Sequence, residues 1–270
     1  MFLQRFFEEV PAPPACGACQ GDQRLDFEVR MAFQPIVDAR DRSIYGYEAL
    51  VRTGEGGGAA EVIARVRPEQ LYRFDQTCRV KAIVTAAALG LRARLFVNFF
   101  PNAVYEPATC IRMTLLAARL SGFPTELLVF EAAESEEVRD QAHVLRIFND
   151  YRSRGFQTAI DDFGAGYAGL TALTVFQPDL LKLDMGLIRG IDGDPVRRTI
   201  VAGIVDIARG IGSTLLAEGV ETAGEYHALR ALGIDLFQGF LFGRPALERL
   251  EPVSDALWIS LDGQGEPPGA

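Results

Sequence analysis

The sequence has few of the side chains that usually hold zinc or form disulfides. It contains only two histidines and four cysteines among its 270 residues. A zinc site built from imidazole and thiolate ligands is therefore poorly supplied, and the lack of a disulfide spacing indicates a reducing compartment. Cys16 and Cys19 form one Cys-Gly-Ala-Cys motif. A lone motif of this kind is half of a zinc site, a redox pair or a chance occurrence, and the sequence leaves these alternatives open.

Long apolar runs and an excess of positive charge are also absent. No stretch approaches the roughly 20 apolar residues that span a bilayer, and Glu8 and Glu9 interrupt an apolar start that is too short for a signal peptide. The formal net charge is −9, whereas a protein that binds the phosphate backbone of DNA or RNA shows a basic face. We therefore expect a cytoplasmic protein without a membrane or a nucleic-acid polymer as partner.

What the sequence does have is enough apolar residues for a large core, because 49% of them are hydrophobic. Residues 1–24 are rich in Pro, Gly and Cys and are interpreted as a lead-in or cap. Residues 25–252 contain no linker or low-complexity run, which predicts one domain. Residues 253–270 end in Gly-Gln-Gly-Glu-Pro-Pro-Gly-Ala, and we expect them to form a frayed tail.

Short apolar runs alternate with amphipathic stretches along the domain. The predicted strands are Ala32–Val37, Ser43–Val51, Leu95–Phe99, Leu127–Glu131, Gln157–Ile160, Leu180–Leu183, Thr214–Ala217 and Leu236–Phe237. The predicted helices are Pro68–Leu89, Cys110–Leu120, Glu136–Ser153, Asp194–Arg209 and Ala223–Leu232. This alternation predicts an α/β fold with parallel strands and crossover helices, and the number of strands favours a closed barrel. The first two strands are joined by a link too short for a crossover, so they are predicted to be antiparallel.

Carboxylate, amide and ammonium side chains recur at the ends of the predicted strands. They are Glu48, Asn98, Glu131, Asp161, Asp162, Lys182, Glu218 and Gln238. In a closed α/β barrel these strand ends meet at one face, where active sites are built. A single carboxylate at such a position is more often a helix cap. Carboxylates that converge in one cleft repel one another strongly unless cations are present, so the recurrence indicates a cation site.

The chemistry of these side chains narrows the kind of cation. Oxygen ligands without histidine or cysteine favour Mg²⁺ or Mn²⁺ over zinc. The adjacent carboxylates of Asp161 and Asp162 suit a bridging arrangement between two cations. Two cations about 3.5–4 Å apart can hold a phosphoryl oxygen and a hydroxide for in-line attack. The residues therefore predict metal-assisted phosphoester hydrolysis without identifying a substrate.

From about Ala32 to Pro245 the chain resembles the EAL domain family. The segments that carry the resemblance stand in the family's order: Phe33-Gln-Pro-Ile-Val-Asp38, Tyr47-Glu-Ala-Leu-Val-Arg52, Val97-Asn98, Asp161-Asp-Phe-Gly-Ala-Gly-Tyr167, Pro178-Asp-Leu-Leu-Lys-Leu-Asp184, Ala217-Glu-Gly-Val-Glu-Thr222 and Gln238-Gly-Phe-Leu-Phe-Gly-Arg-Pro245. The resemblance implies a modified TIM-type (β/α)8 barrel with one antiparallel strand. It also implies a homodimer that hydrolyses the bacterial second messenger cyclic di-GMP to linear pGpG with two divalent metal ions, Mg or Mn.

The resemblance further implies a role for each residue that matches a family motif. One metal ion would be bound by Glu48, Asn98, Glu131 and Asp161. The second would be bound by Asp161, Asp162 and Glu218. The attacking water would be oriented by Lys182 and Gln238, which with Glu48 and Glu218 form the implied catalytic set. The substrate would be contacted by Gln34, Arg52 and Glu221. The loop after the paired aspartates would be supported by Glu134.

Three segments depart from the family's usual motifs. Asn98-Phe-Phe100 stands where the family usually has Asn-Leu-Ser. Glu131-Ala-Ala-Glu134 replaces Glu-x-Thr-Glu, and Gly166-Tyr-Ala-Gly-Leu170 replaces Gly-Tyr-Ser-Ser-Leu. No implied metal ligand is lost, which predicts an active phosphodiesterase. The alternatives are a catalytically weak cyclic-di-GMP receptor and a protein-interaction module, because a fold does not fix a function.

The helix predicted to start near Asp194 carries an apolar stripe. Its members stand at helical spacing: Val196, Ile200, Ile204 and Ile207. Together with the loop Gly164–Leu170, this stripe is predicted to form the interface of a homodimer. The equally weighted alternative is that the stripe is the face that packs on the core.

Overall fold

The structure is a computed structural model that describes residues 25–134, 141–166 and 169–263. Cys16 and Cys19 lie outside the described residues, so the alternatives for their motif stay open. The strands are Val29–Asp38 (β1), Ser43–Thr53 (β2), Arg94–Asn98 (β3), Leu128–Ala133 (β4), Gln157–Phe163 (β5), Leu180–Leu183 (β6), Thr214–Ala217 (β7), Leu236–Gln238 (β8) and Ala246–Leu247 (β9).

The α-helices are numbered in chain order. They are Ala59–Ile63 (α1), Leu71–Ala88 (α2), Pro107–Cys110 (α3), Arg112–Ser121 (α4), Gln141–Ser153 (α5), Gly169–Val175 (α6), Met185–Ile188 (α7), Pro195–Ile211 (α8), Ala223–Ala231 (α9) and Asp255–Gly263 (α10). Short 3₁₀ turns lie at Pro68–Gln70, Pro101–Ala103 and Thr125–Leu127. Among the described residues, no helix has both the length and the apolar character needed to cross a bilayer.

The strands form a closed barrel in which only the first barrel strand runs against the others. From β2 to β8 each strand pairs in parallel with the next one. Strand β1 closes the ring because it pairs antiparallel with both β2 and β8. The short β9 adds to β1, also antiparallel. The predicted barrel with one antiparallel strand is therefore confirmed.

Local signals in the sequence explain where the helices begin and end. The carboxylate of Asp194 accepts hydrogen bonds from the amides of Val196 and Arg197, which caps α8 before Pro195. Gly212 ends the same helix with a φ of 78°, a left-handed conformation that glycine adopts without strain. Thr222 and Glu225 form a reciprocal capping box at the start of α9.

The C-terminal part of the described chain differs from the sequence prediction. Residues 255–263 form α10 instead of a frayed tail. Trp258 and Leu261 are buried on one side of this helix, and the Trp258 ring lies 5.7 Å from that of Phe242. The sequence did not predict this helix, because the residues after it are polar and rich in glycine and proline. The predicted helix from Glu136 is present from Gln141 onward, and residues 135–140 lie outside the described ranges.

Most of the apolar stripe of α8 lies outside the core face of that helix. The residues of α8 that are buried are Val201, Val205 and Ala208. Val196 and Ile200 are 65% and 48% exposed, and Ile207 is exposed as well. Ile204, the fourth member of the stripe, is half-buried and packs against the core. The reading of the stripe as a core face therefore holds for Ile204 and is wrong for the other three residues, which face outward from the chain.

The interior of the barrel is filled by one apolar layer. It is separate from the larger core between the barrel and the helices. Its members come from β1 and from each strand from β3 to β8: Ile36, Phe96, Val129, Ala159, Leu180, Leu216 and Leu236. Tyr45 of β2 packs against them. This layer, called the floor below, supports the residues above it.

Candidate metal centre

The predicted site residues form a second layer, two positions along the strands from the floor. Side chains two residues apart on a strand point the same way. On the parallel strands the residues two positions after the floor are Asn98, Glu131, Asp161, Lys182, Glu218 and Gln238. On β1, which runs the opposite way, the residue two positions before Ile36 is Gln34. The strand register thus brings these predicted residues to one end of the barrel.

Lys182 lies at the centre of this layer and is fully buried. Its Nζ is 2.7 Å from a carboxylate oxygen of Asp161 and 2.7 Å from one of Glu218. It is also 3.1 Å from Glu131 and 3.5 Å from Glu48. One ammonium group therefore contacts four of the five acids predicted to bind metal, and their negative charge exceeds what this lysine can balance.

Amide side chains complete the ring around the acids. Asn98 Nδ2 donates to Glu48 Oε1 over 3.0 Å, and Gln238 Nε2 donates to Glu48 Oε2 over 2.6 Å. Gln238 Nε2 also donates to Gln34 Oε1 over 3.1 Å. Gln34 in turn donates to the carbonyl oxygen of Gly243, in the loop after β8. Both oxygens of Glu48 are thus held by amides, which fixes the orientation of this carboxylate.

Two groups of acids in this layer have the spacing of metal ligands. Glu48, Glu131 and Asp161 each offer one oxygen, and these oxygens lie within 4.8 Å of one another. Asp161, Asp162 and Glu218 form the second group by the same measure. Asp161 belongs to both groups. The structure therefore brings together every predicted acidic ligand and places Asp161 where it can bridge two sites.

The donors fit the metal ions that the sequence implies. They are oxygen atoms alone, which suits Mg²⁺ or Mn²⁺. Glu131 is fully buried, and its Oε1 has no hydrogen-bond partner among the described residues, although Lys182 lies beside it. The ammonium of Lys182 is shared among four carboxylates, so this buried oxygen is only partly compensated in the metal-free protein, and a metal ion would remove the remaining cost.

A backbone irregularity lets two consecutive aspartates face the same side of β5. Neighbouring residues on a regular strand point to opposite faces. The pairing of β5 with β6 shifts register between Ile160 and Phe163, and Asp162 has a φ of 53°. This left-handed conformation is rare for residues other than glycine but is tolerated by aspartate. The bulge thus turns Asp162 toward the group that contains Asp161 and Glu218.

Burial and mutual repulsion shift the pKa values of the acids. Burial raises the pKa of Glu131 well above its usual value, and the charges of Glu48 and Asp161 add to this rise. Glu218 is shifted in the same direction by burial and by Asp161. The pKa of Asp162 is raised to about 6, first by burial and then by Asp161. In the metal-free protein these acids therefore resist ionisation, as expected for a site that carries too much negative charge.

Comparison with known proteins identifies the family. The model of the EAL domain family matches residues 21–245. The chain belongs to the EAL domain family. The division into residues 1–24, 25–252 and 253–270 stays a prediction, because the match does not test those boundaries.

Solved structures of EAL proteins share the fold of this EAL domain. A standalone versatile EAL protein from Vibrio cholerae O395, solved in a c-di-GMP bound form, is 49% identical. The match covers 87% of this chain and 99% of that one, with a TM-score of 0.84. Klebsiella pneumoniae BlrP1, solved as a manganese/cy-diGMP complex, is 34% identical, with a TM-score of 0.78. That match covers 85% of this chain and 59% of BlrP1.

Curated relatives carry both enzymatic and regulatory names. The cyclic di-GMP phosphodiesterase PA2567 of Pseudomonas aeruginosa is 28% identical over 82% of this chain and 39% of its own length. The blue light- and temperature-regulated antirepressor BluF of Escherichia coli is 29% identical over 83% of this chain and 56% of its own length. The EAL domain described here thus spans little more than half, or less, of these relatives.

Three predicted residues of the EAL domain lie outside the buried layer. Arg52 is half-buried on β2, and its Nη1 donates to its neighbour's carbonyl oxygen. Glu221 pairs with Arg189 over 3.0 Å rather than with a member of the layer. Glu134 accepts hydrogen bonds from the amides of Gly164, Gly166 and Gly169. Glu134 therefore contacts the backbone at three points after the paired aspartates, and its supporting role stays a prediction.

One buried ion pair of the EAL domain was not singled out in the sequence. Asp75 and Arg79 lie four residues apart on α2 and are both fully buried. They contact residues next to two predicted metal ligands. Charged residues at this spacing usually form an exposed helix pair, so the sequence carries no signal that this pair is buried.

Proposed function

We propose that this EAL domain is a metal-dependent phosphodiesterase that hydrolyses cyclic di-GMP to linear pGpG. The observation that carries the proposal is the pair of acidic groups that share Asp161 beside the buried ammonium of Lys182. The relative PA2567 is named a cyclic di-GMP phosphodiesterase. The Vibrio cholerae and BlrP1 structures hold this dinucleotide, the latter together with manganese. Substrate and metal in these relatives match the chemistry of the site.

Two divalent cations, Mg²⁺ or Mn²⁺, fit the two acidic groups. Glu48, Glu131 and Asp161, with the amide of Asn98, would hold one. Asp161, Asp162 and Glu218 would hold the other. When bound, such cations polarise a phosphoryl oxygen and lower the pKa of a water. The protein supplies the arrangement, because the register of the parallel strands fixes where the carboxylates lie.

Lys182 and Gln238 would act on the water and the phosphate. The carboxylates around Lys182 raise its pKa well above the usual value, against the opposing effect of burial, so Nζ keeps its proton. A fixed cation there stabilises the negative charge that grows on the phosphoryl oxygens. Gln238 Oε1 is buried without a hydrogen-bond partner among the described residues. It can accept a hydrogen bond from a water and thereby orient it.

The remaining predicted residues would contact the substrate from the rim. Arg52 offers a planar guanidinium that suits a phosphate. It follows Glu48 by four residues on the same strand and points to the same side as that carboxylate. Gln34 is tied to Gln238 and to the loop after β8. Glu221 reaches solvent beside Arg189, where it can meet a polar part of the nucleotide.

The experiment is a turnover assay with identification of the product. Purified protein is incubated with cyclic di-GMP in Mg²⁺ or Mn²⁺, and the products are separated by chromatography. We expect linear pGpG in either cation and none in EDTA. The isosteric variant Glu131→Gln is the matched control and should form no product. Absence of pGpG from wild type in both cations, or equal turnover in EDTA, would contradict the proposal.

A second candidate is a regulatory module that binds cyclic di-GMP without cleaving it. The observation in its favour is the exposed apolar surface of α8, which includes Val196 and Ile200. The relative BluF is named an antirepressor, which fits a protein that acts through contacts. Tight binding of cyclic di-GMP in Mg²⁺ with no pGpG would favour this candidate. The same surface supports our proposal that the chain forms a homodimer.

A further inference from the structure

A buried ion pair lies on the outer side of the barrel, behind strands β3 and β4. Asp75 and Arg79 of α2 approach to 2.7 Å, and both side chains are fully buried. Arg79 Nη1 donates to the hydroxyl of Tyr151 on α5 over 2.7 Å. The pair therefore connects two helices within the buried part of the molecule.

The pair also contacts the residues that follow Asn98. The carboxylate of Asp75 accepts a hydrogen bond from the backbone amide of Phe100 over 3.0 Å. The guanidinium carbon of Arg79 lies 5.2 Å from the ring centroid of Phe99. Phe99 directly follows Asn98 on the chain, so one contact holds the backbone and another holds a side chain just after this residue.

The second contact region lies directly before Glu131. The guanidinium carbon of Arg79 lies 5.7 Å from the ring centroid of Phe130. The rings of Phe99 and Phe130 meet edge to face at 6.3 Å. Side chains alternate along a strand. Phe130 therefore points out of the barrel toward Arg79, whereas Glu131 points inward.

Stability alone does not account for this pair. Removing two charges from water is costly, and apolar side chains of similar volume often replace a buried ion pair without loss of stability. Arg79 Nε and Gln76 Oε1 are buried without a hydrogen-bond partner among the described residues, which adds to the cost. The charges make oriented contacts instead. A hydrogen bond to Phe100 and ring contacts with Phe99 and Phe130 hold the residues beside Asn98 and Glu131.

We propose that Asp75 and Arg79 are positioning residues that hold Asn98 and Glu131 in the geometry required for metal binding. This inference rests on the proposed function. The pair acts from the outside of the barrel, through Phe99, Phe100 and Phe130, and touches neither the metal nor the substrate. Residues that orient metal ligands in this way change metal affinity by about 10–100-fold when they are replaced.

The aromatic residues at this point belong to a departure from the family's usual motif. Phe99 and Phe100 stand where leucine and serine are usual. The Phe99 ring contacts Arg79, Phe130, Phe148 and Tyr151. A leucine offers no ring face to a guanidinium. The departure therefore supplies a ring that contacts the guanidinium of Arg79 at the end of β3.

The test measures Mn²⁺ affinity directly by calorimetry, without substrate, together with thermal unfolding in EDTA. The double variant Asp75→Leu/Arg79→Met replaces the pair by apolar side chains of similar volume. We expect a folded protein with a lower unfolding temperature, because the amide of Phe100 loses its acceptor, and an affinity for Mn²⁺ that is about tenfold or more weaker. Arg79→Lys keeps the charge opposite Asp75 but removes the planar fork and its ring contacts. It should bind Mn²⁺ severalfold more weakly while remaining folded.

The matched control is Ile83→Ala, a fully buried position one helical turn further along α2. It should lower the unfolding temperature and leave Mn²⁺ affinity unchanged, which separates loss of stability from loss of positioning. Wild-type affinity in Arg79→Lys overturns the proposal, and so does wild-type affinity in the double variant. If the double variant does not fold, Arg79→Lys decides alone. Failure of wild type to bind Mn²⁺ would instead contradict the proposed function itself.

Discussion

Two layers inside one barrel share the same strands and have opposite chemistry. The floor is apolar and buried, with one residue from β1 and from each strand from β3 to β8. Two positions further along the parallel strands lie acids, amides and one lysine. On β7 the two layers are represented by Leu216 and by Glu218, which directly follows the strand. The same backbone register serves both layers.

The comparison shows how stability and function are separated along a strand. The floor stabilises the fold by removing apolar surface from water. The upper layer concentrates buried negative charge around a single ammonium, which opposes folding unless cations are present. A floor residue therefore stabilises the fold, whereas the residue two positions further along the same strand destabilises the metal-free protein. The predictions below test this contrast on matched positions.

The largest effect is expected from a ligand in the upper layer. Glu218→Ala removes one member of the second acidic group, and turnover should fall by about a thousandfold or more. The metal-free variant should be as stable as wild type or more stable. The reason is that burial raises the pKa of Glu218 in the folded protein, so its ionisation at neutral pH opposes folding.

Turnover in Mn²⁺ and denaturant unfolding in EDTA measure the two halves of this prediction. The conservative variant Glu218→Gln keeps the shape and removes the charge, so it should match Glu218→Ala in stability. A variant that loses stability and retains turnover would reverse the assignment of Glu218 to the upper layer.

The floor should respond in the opposite way. Leu216→Ala removes a fully buried side chain from the same strand. It should lower the free energy of unfolding by about 2–5 kcal/mol, because it leaves a cavity. Turnover at a temperature where the variant is folded should stay near the wild-type value. A stable Leu216→Ala protein that has lost turnover would show that the layers do not separate stability from function.

Lys182 separates catalysis from binding within the upper layer. Lys182→Ala should lower kcat by about a hundredfold, the effect of one positioned electrostatic group. The Kd for cyclic di-GMP should change by less than about tenfold. It is measured in Ca²⁺, which forms longer bonds to its ligands than Mg²⁺ does and is expected to block turnover. Weak binding with normal turnover at saturation would assign Lys182 to substrate binding instead.

The smallest effect is expected at the outer surface. Val196→Glu/Ile200→Glu places charges on the exposed stripe of α8 and should convert a homodimer to a monomer. Turnover should fall severalfold, because the dimer contact would no longer support the loop Gly164–Leu170. Thr199→Glu adds one negative charge to α8 beside the stripe and is the control. Sedimentation measures the assembly. A wild-type protein that is monomeric at high concentration and fully active would contradict the homodimer.

The barrel and most of the site could be predicted from the sequence, because both depend on strand ends. A carboxylate such as Glu131 closes an apolar run, and parallel strands bring such ends to one face. The joint location of Lys182 with the acids follows from the same register. The central position of its Nζ among four carboxylates could not be predicted, because it depends on distances between strands that are far apart in sequence.

Features that depend on local backbone or on burial were not accessible from the sequence. The left-handed conformation of Asp162 and the shift in register beside it leave no pattern that distinguishes them from a regular strand. Asp75 and Arg79 have the spacing of an exposed pair and are nevertheless buried. The pairing of Glu221 with Arg189 joins two loops whose approach is set by tertiary structure.

The most direct test of the account is to count the Mn²⁺ ions that the upper layer binds without substrate. Glu131 belongs only to the first acidic group, Glu218 only to the second, and Asp161 to both. Calorimetry of wild type should give about two ions per chain. Glu131→Ala and Glu218→Ala should each lose one ion, and Asp161→Asn should weaken both. One ion in wild type, or an unchanged count in all three variants, would contradict a layer built around two cations.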